Sequence, residues 1–395
     1  LLTLSGTVAP GFEAVREAFA RNFAQRDEIG AEVAVCHRGE LVVDLIGGHK
    51  DEARTRPWDE DTVVLVYSVS KGMAAMAMAL AHSRGLIDYE ATVASYWPEF
   101  AQAGKEQITV RQLLAHQGGL SALDCALSPE RIADRAWMAE VLAQQAPSWP
   151  PGTRQGYHGM TLGSYISQLI SRVDPRGRAL PQFFAEEIAG PLGVAFHLGL
   201  PADFAEDRIA PIKGFPLPEL LLHMHELPWR LVAGLMWPWS LVTRSLMNPK
   251  VSNPDAFDSP AFRHLDFASA IGYGQARALA RIYGDVVSED SRIGIDRSTL
   301  DLLSGPVQEP SGGSLDLIWG TGTAWHLGFG RASELLGYPG EGCFGARGAS
   351  GADAFADPDA QVGFAYTTNR CSLNAFGDPR VQTLVDAVYR CLGAQ

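Results

Sequence analysis

Apolar residues fall at helical spacing over residues 11 to 26, where Phe12, Val15, Phe19 and Phe23 line one face. The period then shortens: Ala31-Glu32-Val33-Ala34-Val35-Cys36 and Leu41-Val42-Val43-Asp44-Leu45-Ile46 flank His37-Arg38-Gly39-Glu40, which predicts a hairpin. At the other end Leu317 to Phe329, Gly342 to Gly345, Ala352 to Ala356 and Val362 to Thr367 read as strands, closed by a helix from about Asp378 to Cys391. Between them, from Ser68 to about residue 310, the pattern is mostly helical, with connections such as Trp149-Pro150-Pro151-Gly152 and Gly214-Phe215-Pro216-Leu217-Pro218. The expected architecture is α+β: residues 1–67 and 311–395 share one sheet domain, residues 68–310 form an inserted helical domain, and a cleft lies at their junction.

One motif in this frame proposes a chemistry. Ser68-Val69-Ser70-Lys71 opens a run, Gly72-Met73-Ala74-Ala75-Met76-Ala77-Met78-Ala79-Leu80-Ala81, that is apolar all round and therefore predicts a buried helix. Residues three apart at a helix start face the same way, which sets the lysine against the serine hydroxyl. Burying an ammonium without a partner favours the neutral amine, a base beside a nucleophile. The bland alternative is a lysine that snorkels to water and a serine that merely caps the helix.

Composition removes several function classes. A net charge of −13, with 32 lysines and arginines against 45 carboxylates, argues against nucleic acid. Five widely spaced cysteines without a Cys-x-x-Cys suggest neither a disulfide framework nor a zinc site, and fit reduced thiols in the cytoplasm. Leu1 to Pro10 lack the basic start and apolar core of a signal peptide. The most apolar stretch, Trp229 to Met247, carries Arg230 and Arg244 and is interrupted by Pro238, so it is expected to pack on protein or at most touch a lipid-like surface, not to span a membrane.

Two further segments carry candidate chemistry. Trp149-Pro150-Pro151-Gly152-Thr153-Arg154-Gln155-Gly156-Tyr157-His158-Gly159 is a turn-rich loop ending in a phenol able to move a proton. Cys343-Phe344-Gly345-Ala346-Arg347-Gly348-Ala349-Ser350-Gly351-Ala352 offers small residues on a strand edge, where a backbone N–H can serve an oxyanion.

Together with Leu113-Leu114-Ala115-His116-Gln117-Gly118-Gly119-Leu120, these motifs resemble, in order and spacing, the serine β-lactamase-related superfamily, and specifically its family VIII carboxylesterases. The resemblance implies a β-lactamase/transpeptidase-like fold and assigns Ser68 as nucleophile, Lys71 as its activating neighbour and Tyr157 as general base and acid. It places the oxyanion hole at the N–H groups of Ser68 and Ala349. A cation at Lys71 would favour phenolate at Tyr157. Penicillin-recognising relatives carry Lys or His at the head of the late motif, where this chain has Ala346; Arg347 would compensate only by turning inward against strand alternation. Neutral esters are therefore expected over β-lactams or peptides ending in carboxylate, and His158 also resembles the esterase branch.

The expected function is a metal-free and cofactor-free serine carboxylesterase acting on a small ester, with His158, Arg347, Gly348 and Trp237 as further substrate contacts. A β-lactamase, a D-aminopeptidase or an acyltransferase would use the same residues; a non-catalytic scaffold of this fold is the rival from another class. Gly348-Ala349-Ser350-Gly351-Ala352 nearly matches a nucleophile elbow but lacks its last glycine. His223-x-His225-Glu226 lacks the spacing of a helical zinc site, and Gly320-Thr321-Gly322 lacks phosphate-loop surroundings. Phe215 to Met247, rich in tryptophan, is expected either to wall the cleft or to pack in the helical domain.

Overall fold

The computed structural model describes residues 4–215, 227–251, 253–372 and 377–393. Both ends of the chain meet in one antiparallel sheet of eight strands, ordered Leu4–Val8, Glu40–Gly48, Gly30–His37, Val362–Thr368, Asp353–Asp357, Phe344–Arg347, Phe329–Arg331 and Trp325–His326. The seam between N- and C-terminal segments is the pairing of Gly30–His37 with Val362–Thr368, where Val33 lies opposite Tyr366 and Val35 opposite Phe364. All seven residues of Val362–Thr368 are buried, as expected of a central strand covered on both faces.

Helix Glu13–Gln25 covers one face through Val15, Ala18 and Phe19, beside the C-terminal helix Pro379–Gly393 with Leu384, Val385 and Val388. Helix Ala276–Val286 lies on the other face, where a Cβ added at Gly363 would stand 2.3 Å from Gly284 N. Contact that close is available only to glycine. The expected N-terminal helix, hairpin and C-terminal helix are all present, and the hairpin turns through Arg38 and Gly39, both at positive φ.

Two expectations on strands need correction. Leu4–Val8 is an edge strand that the sequence pattern does not reveal, since its polar residues face solvent. Leu317 to Phe329 is not one strand: residues 317–324 form a turn-rich loop, and only Trp325–His326 and Phe329–Arg331 join the sheet. Asp316 is the cause. Its carboxylate accepts the N–H groups of Ile318 (2.8 Å) and Trp319 (3.0 Å), which folds the chain back on itself.

The middle of the chain is mostly helical but includes a small second sheet, Phe196–His197, Tyr273–Gly274, Val63–Leu65 and Ile209–Ala210. Val63–Leu65 leads directly to Ser68. The following helix, Val69–Ser83, is buried on every side from Val69 to Ala81. It packs on the main sheet through Gly72, where an added Cβ would lie 3.2 Å from the Ala346 side chain and 2.4 Å from the Tyr283 hydroxyl. Thus the helix that carries Ser68 is fixed against the strand that leads to Ala349.

Candidate active site

Ser68 immediately precedes helix Val69–Ser83, and its side chain makes no capping hydrogen bond. The residue before it, Tyr67, is held at φ 49, a left-handed backbone that costs a non-glycine residue about 1–3 kcal/mol. Neighbours hold that conformation: the Tyr67 hydroxyl donates to Pro254 O at 3.0 Å, and Val66 N donates to Gly272 O at 2.9 Å.

Lys71, one turn along, is 3 % exposed, so it does not snorkel to water. Its Nζ donates to Ser68 Oγ at 3.0 Å and to the carbonyl oxygen of Ser269. Burial pushes the amine down to about 7.

Tyr157 closes the triangle, with the Lys71 Nζ 5.0 Å from the centre of its ring. Burial holds the phenol well above its usual range; a hydrogen bond with Ser68 works in the opposite direction, and the Asp316 charge adds to the rise. The phenolate expected from the sequence is therefore corrected. Burial penalises the charged form of both groups, shifting Lys71 toward amine and Tyr157 toward phenol.

Asp316 and His116 hold Tyr157 in place. The buried Asp316 carboxylate accepts Tyr157 N (3.1 Å) and the indole N–H of Trp325 (2.8 Å), so one anion fixes both the tyrosine backbone and the ring stacked on it at 5.0 Å. His116, at φ 59, accepts His158 N on Nδ1 at 3.0 Å and Gly156 N on its carbonyl at 3.1 Å. Sequence reasoning assigned neither residue a role. Asp316 shows only as an acid between Leu315 and Leu317, and His116 only as part of a motif used for the resemblance.

The N–H groups of Ser68 and Ala349 donate to no protein acceptor among the described residues. Ala349 is exposed and Ser68 half-buried, so the site opens to solvent on this side, away from the sealed Lys71 and Tyr157. Gly348 makes the approach feasible: a Cβ there would sit 2.2 Å from Val66 O, two residues before Ser68.

Several expected contacts are corrected. Arg347 does not turn inward: its Nε pairs with Asp353 at 2.8 Å and the side chain is 12 % exposed, as strand alternation requires. Gly348 donates its N–H to Ala352 O at 2.7 Å, so that amide is not free for an oxyanion. His158 is fully buried, its imidazole pushed down to about 3 by burial and packed on His116 at 4.9 Å. A neutral ring walled in by protein cannot meet substrate from solvent. Trp237 is 65 % exposed on the outside of the chain segment it belongs to. Ser350 is fully buried with its Oγ near Ala352 N, which leaves no room for a nucleophile. His223, His225 and Glu226 lie outside the described residues, among which no metal-binding cluster occurs.

A surface hollow of about 730 Å³ bounded by Arg38, Arg281, Asp285 and Arg292 is lined by none of Ser68, Lys71 and Tyr157.

The serine and lysine at one helix start, the facing tyrosine and the antiparallel sheet flanked by helices define a serine hydrolase of the β-lactamase fold. The Beta-lactamase family matches residues 15–388, and the chain belongs to it. It is 33 % identical over 373 residues to Esterase/beta-lactamase LipL of Mycobacterium tuberculosis, covering 92 % of this chain and 82 % of LipL. A crystal structure of a family VIII carboxylesterase superposes with TM-score 0.87 at 33 % identity, over 98 % of this chain and all (100 %) of that one. EstA from Arthrobacter nitroguajacolicus Rue61a superposes with TM-score 0.85 at 31 % identity, covering 99 % of each chain.

Proposed function

We propose that this protein hydrolyses neutral carboxylic esters through an acyl-enzyme on Ser68. The observation that carries the reading is a buried lysine amine 3.0 Å from a serine hydroxyl, on a site whose late motif offers no free cation. Ala346 stands where a carboxylate-binding side chain would be, and Arg347 is committed to Asp353. Relatives named as an esterase and a carboxylesterase support the same substrate class.

Each proton has a place in the sequence of steps. Lys71 takes the Ser68 proton as Oγ bonds to the ester carbonyl carbon, and the oxyanion forms between the N–H groups of Ser68 and Ala349. As the C–O bond to the alcohol breaks, Tyr157 donates its phenolic proton to the leaving oxygen, and the Lys71 ammonium restores that proton. In the second half Lys71, through the Tyr157 phenol as relay, takes a proton from water as its oxygen bonds to the acyl carbon; the acyl–Oγ bond then breaks, and the Lys71 ammonium returns the proton to Ser68 Oγ as the acid leaves.

Labelling by a fluorophosphonate probe and turnover of p-nitrophenyl esters across acyl lengths, with nitrocefin alongside, test the reading. Wild type should label and cleave the esters at least a hundredfold faster than nitrocefin, and Ser68→Ala should do neither. An unlabelled wild type would make the chain a scaffold; faster nitrocefin turnover would make it a β-lactamase.

A further inference from the structure

Beside this site lies a surface that hydrolysis of a soluble ester does not require. Helix Trp229–Met236 buries only Leu231. Its exposed apolar residues Trp229, Ala233 and Met236 are spaced i, i+4, i+7 and form one stripe, which runs on into Trp237-Pro238-Trp239. Trp229 is 74 % exposed, Met236 74 %, Trp237 65 %, Trp239 80 % and Met247 43 %. Together they present apolar surface on the order of 500 Å², the size at which an exposed patch marks a binding surface.

The patch is built to hold its shape. Ser240 Oγ donates to Gly234 O at 2.6 Å and caps the next helix, Leu241–Leu246, by accepting Thr243 N at 3.0 Å. Gly234 lets the two helices close, since an added Cβ would lie 2.5 Å from Val242. Below, Ser245 Oγ donates to Tyr157 O at 2.9 Å and accepts Gly159 N at 3.3 Å, so the exposed stripe sits on a base bonded to the candidate site.

Its charge selects an occupant. Residues 227–251 contain three cations, Arg230, Arg244 and Lys250, and no carboxylate, in a chain whose net charge is −13. Arg244 pairs with Asp124, and Arg230 lies 5.5 Å over the Trp229 ring. Tryptophans clustered with cations on a short amphipathic element suit the headgroup layer of a membrane, where indoles bury their rings while basic groups meet lipid phosphate. No described helix is long and apolar enough to cross a membrane, so the element would lie in the interface. We propose that this face docks the enzyme on an anionic lipid surface. The proposal does not depend on which ester is cleaved.

The test is flotation of the full chain with phosphatidylcholine vesicles, with and without phosphatidylglycerol, at low and high salt. The protein should float with the mixed vesicles, and binding should weaken at high salt and with phosphatidylcholine alone. Trp229→Ser/Trp239→Ser should reduce flotation at least tenfold, with hydrolysis of a short water-soluble ester unchanged. Arg230→Glu/Lys250→Glu, which spares the apolar stripe, should reduce binding to the mixed vesicles by about tenfold or more. Wild type remaining unbound, or either double variant floating like wild type, would overturn the proposal. So would a dimer in sedimentation velocity that the tryptophan variant abolishes while wild type ignores vesicles, since the face would then belong to a second copy of the chain.

Discussion

Lys71→Met isolates the energetic consequence of placing the base inside the protein. The unfolded chain binds a proton at Lys71 up to its ordinary value of 10.5, whereas burial lowers the folded value to about 7. The unfolded state therefore binds more protons across that window, so this group penalises folding below about pH 7 and ceases to do so above about pH 10.5. The penalty works out to about 4 kcal/mol at pH 7 and about 1 kcal/mol at pH 9.5. Methionine fills a similar volume without charge but loses the bonds to Ser68 Oγ and Ser269 O, at about 3 kcal/mol in total. The variant should be about 1 kcal/mol more stable than wild type at pH 7 and about 2 kcal/mol less stable at pH 9.5. Urea midpoints of both proteins across this range read the difference directly, because other titrating groups cancel. A difference that stays flat with pH would refute a depressed Lys71. The same ionisation should govern activity: wild-type kcat/KM should climb about tenfold per pH unit below about pH 7 and level off above it, while Lys71→Met loses several orders of magnitude.

Gly348→Ala forces a Cβ against Val66 O at 2.2 Å and should displace the Ala349 N–H, lowering kcat about a hundredfold with KM little changed; a normal kcat would remove that amide from the oxyanion hole. Asp316→Asn gives up acceptor capacity toward Tyr157 N, Ile318 N, Trp319 N and Trp325 Nε1, and should lower stability by about 2–4 kcal/mol in thermal unfolding along with kcat. Loss of kcat at an unchanged melting temperature would contradict this positioning role. Arg347→Ala strands the buried Asp353 carboxylate and should cost about 3–5 kcal/mol of stability with ester KM unchanged; a raised KM with intact stability would put the guanidinium in contact with substrate.

Local pattern was sufficient to reveal helix Glu13–Gln25, the Gly30–Gly48 hairpin and the buried helix after Ser68, because hydrophobic period and turn chemistry are written within each segment. The pairing of Ser68 with Lys71 belongs to the same level: one turn of helix brings them together whatever surrounds them. Strand alternation likewise predicts that Arg347 points away from the residues flanking it, and Asp353 receives it.

What folding alone decided is the partnership across distance. The Asp316 carboxylate has an ordinary acid's sequence signature, and becomes a hub only when the chain brings Tyr157 N and the Trp325 indole to it from positions 159 and 9 residues away. The protonation state of the site was also tertiary. The resemblance suggested ammonium and phenolate for Lys71 and Tyr157, whereas burial penalises both charges and shifts the pair toward amine and phenol. Short-range spacing specifies which neighbours share a face; the fold specifies which distant groups meet, and the water it excludes around them biases their charge.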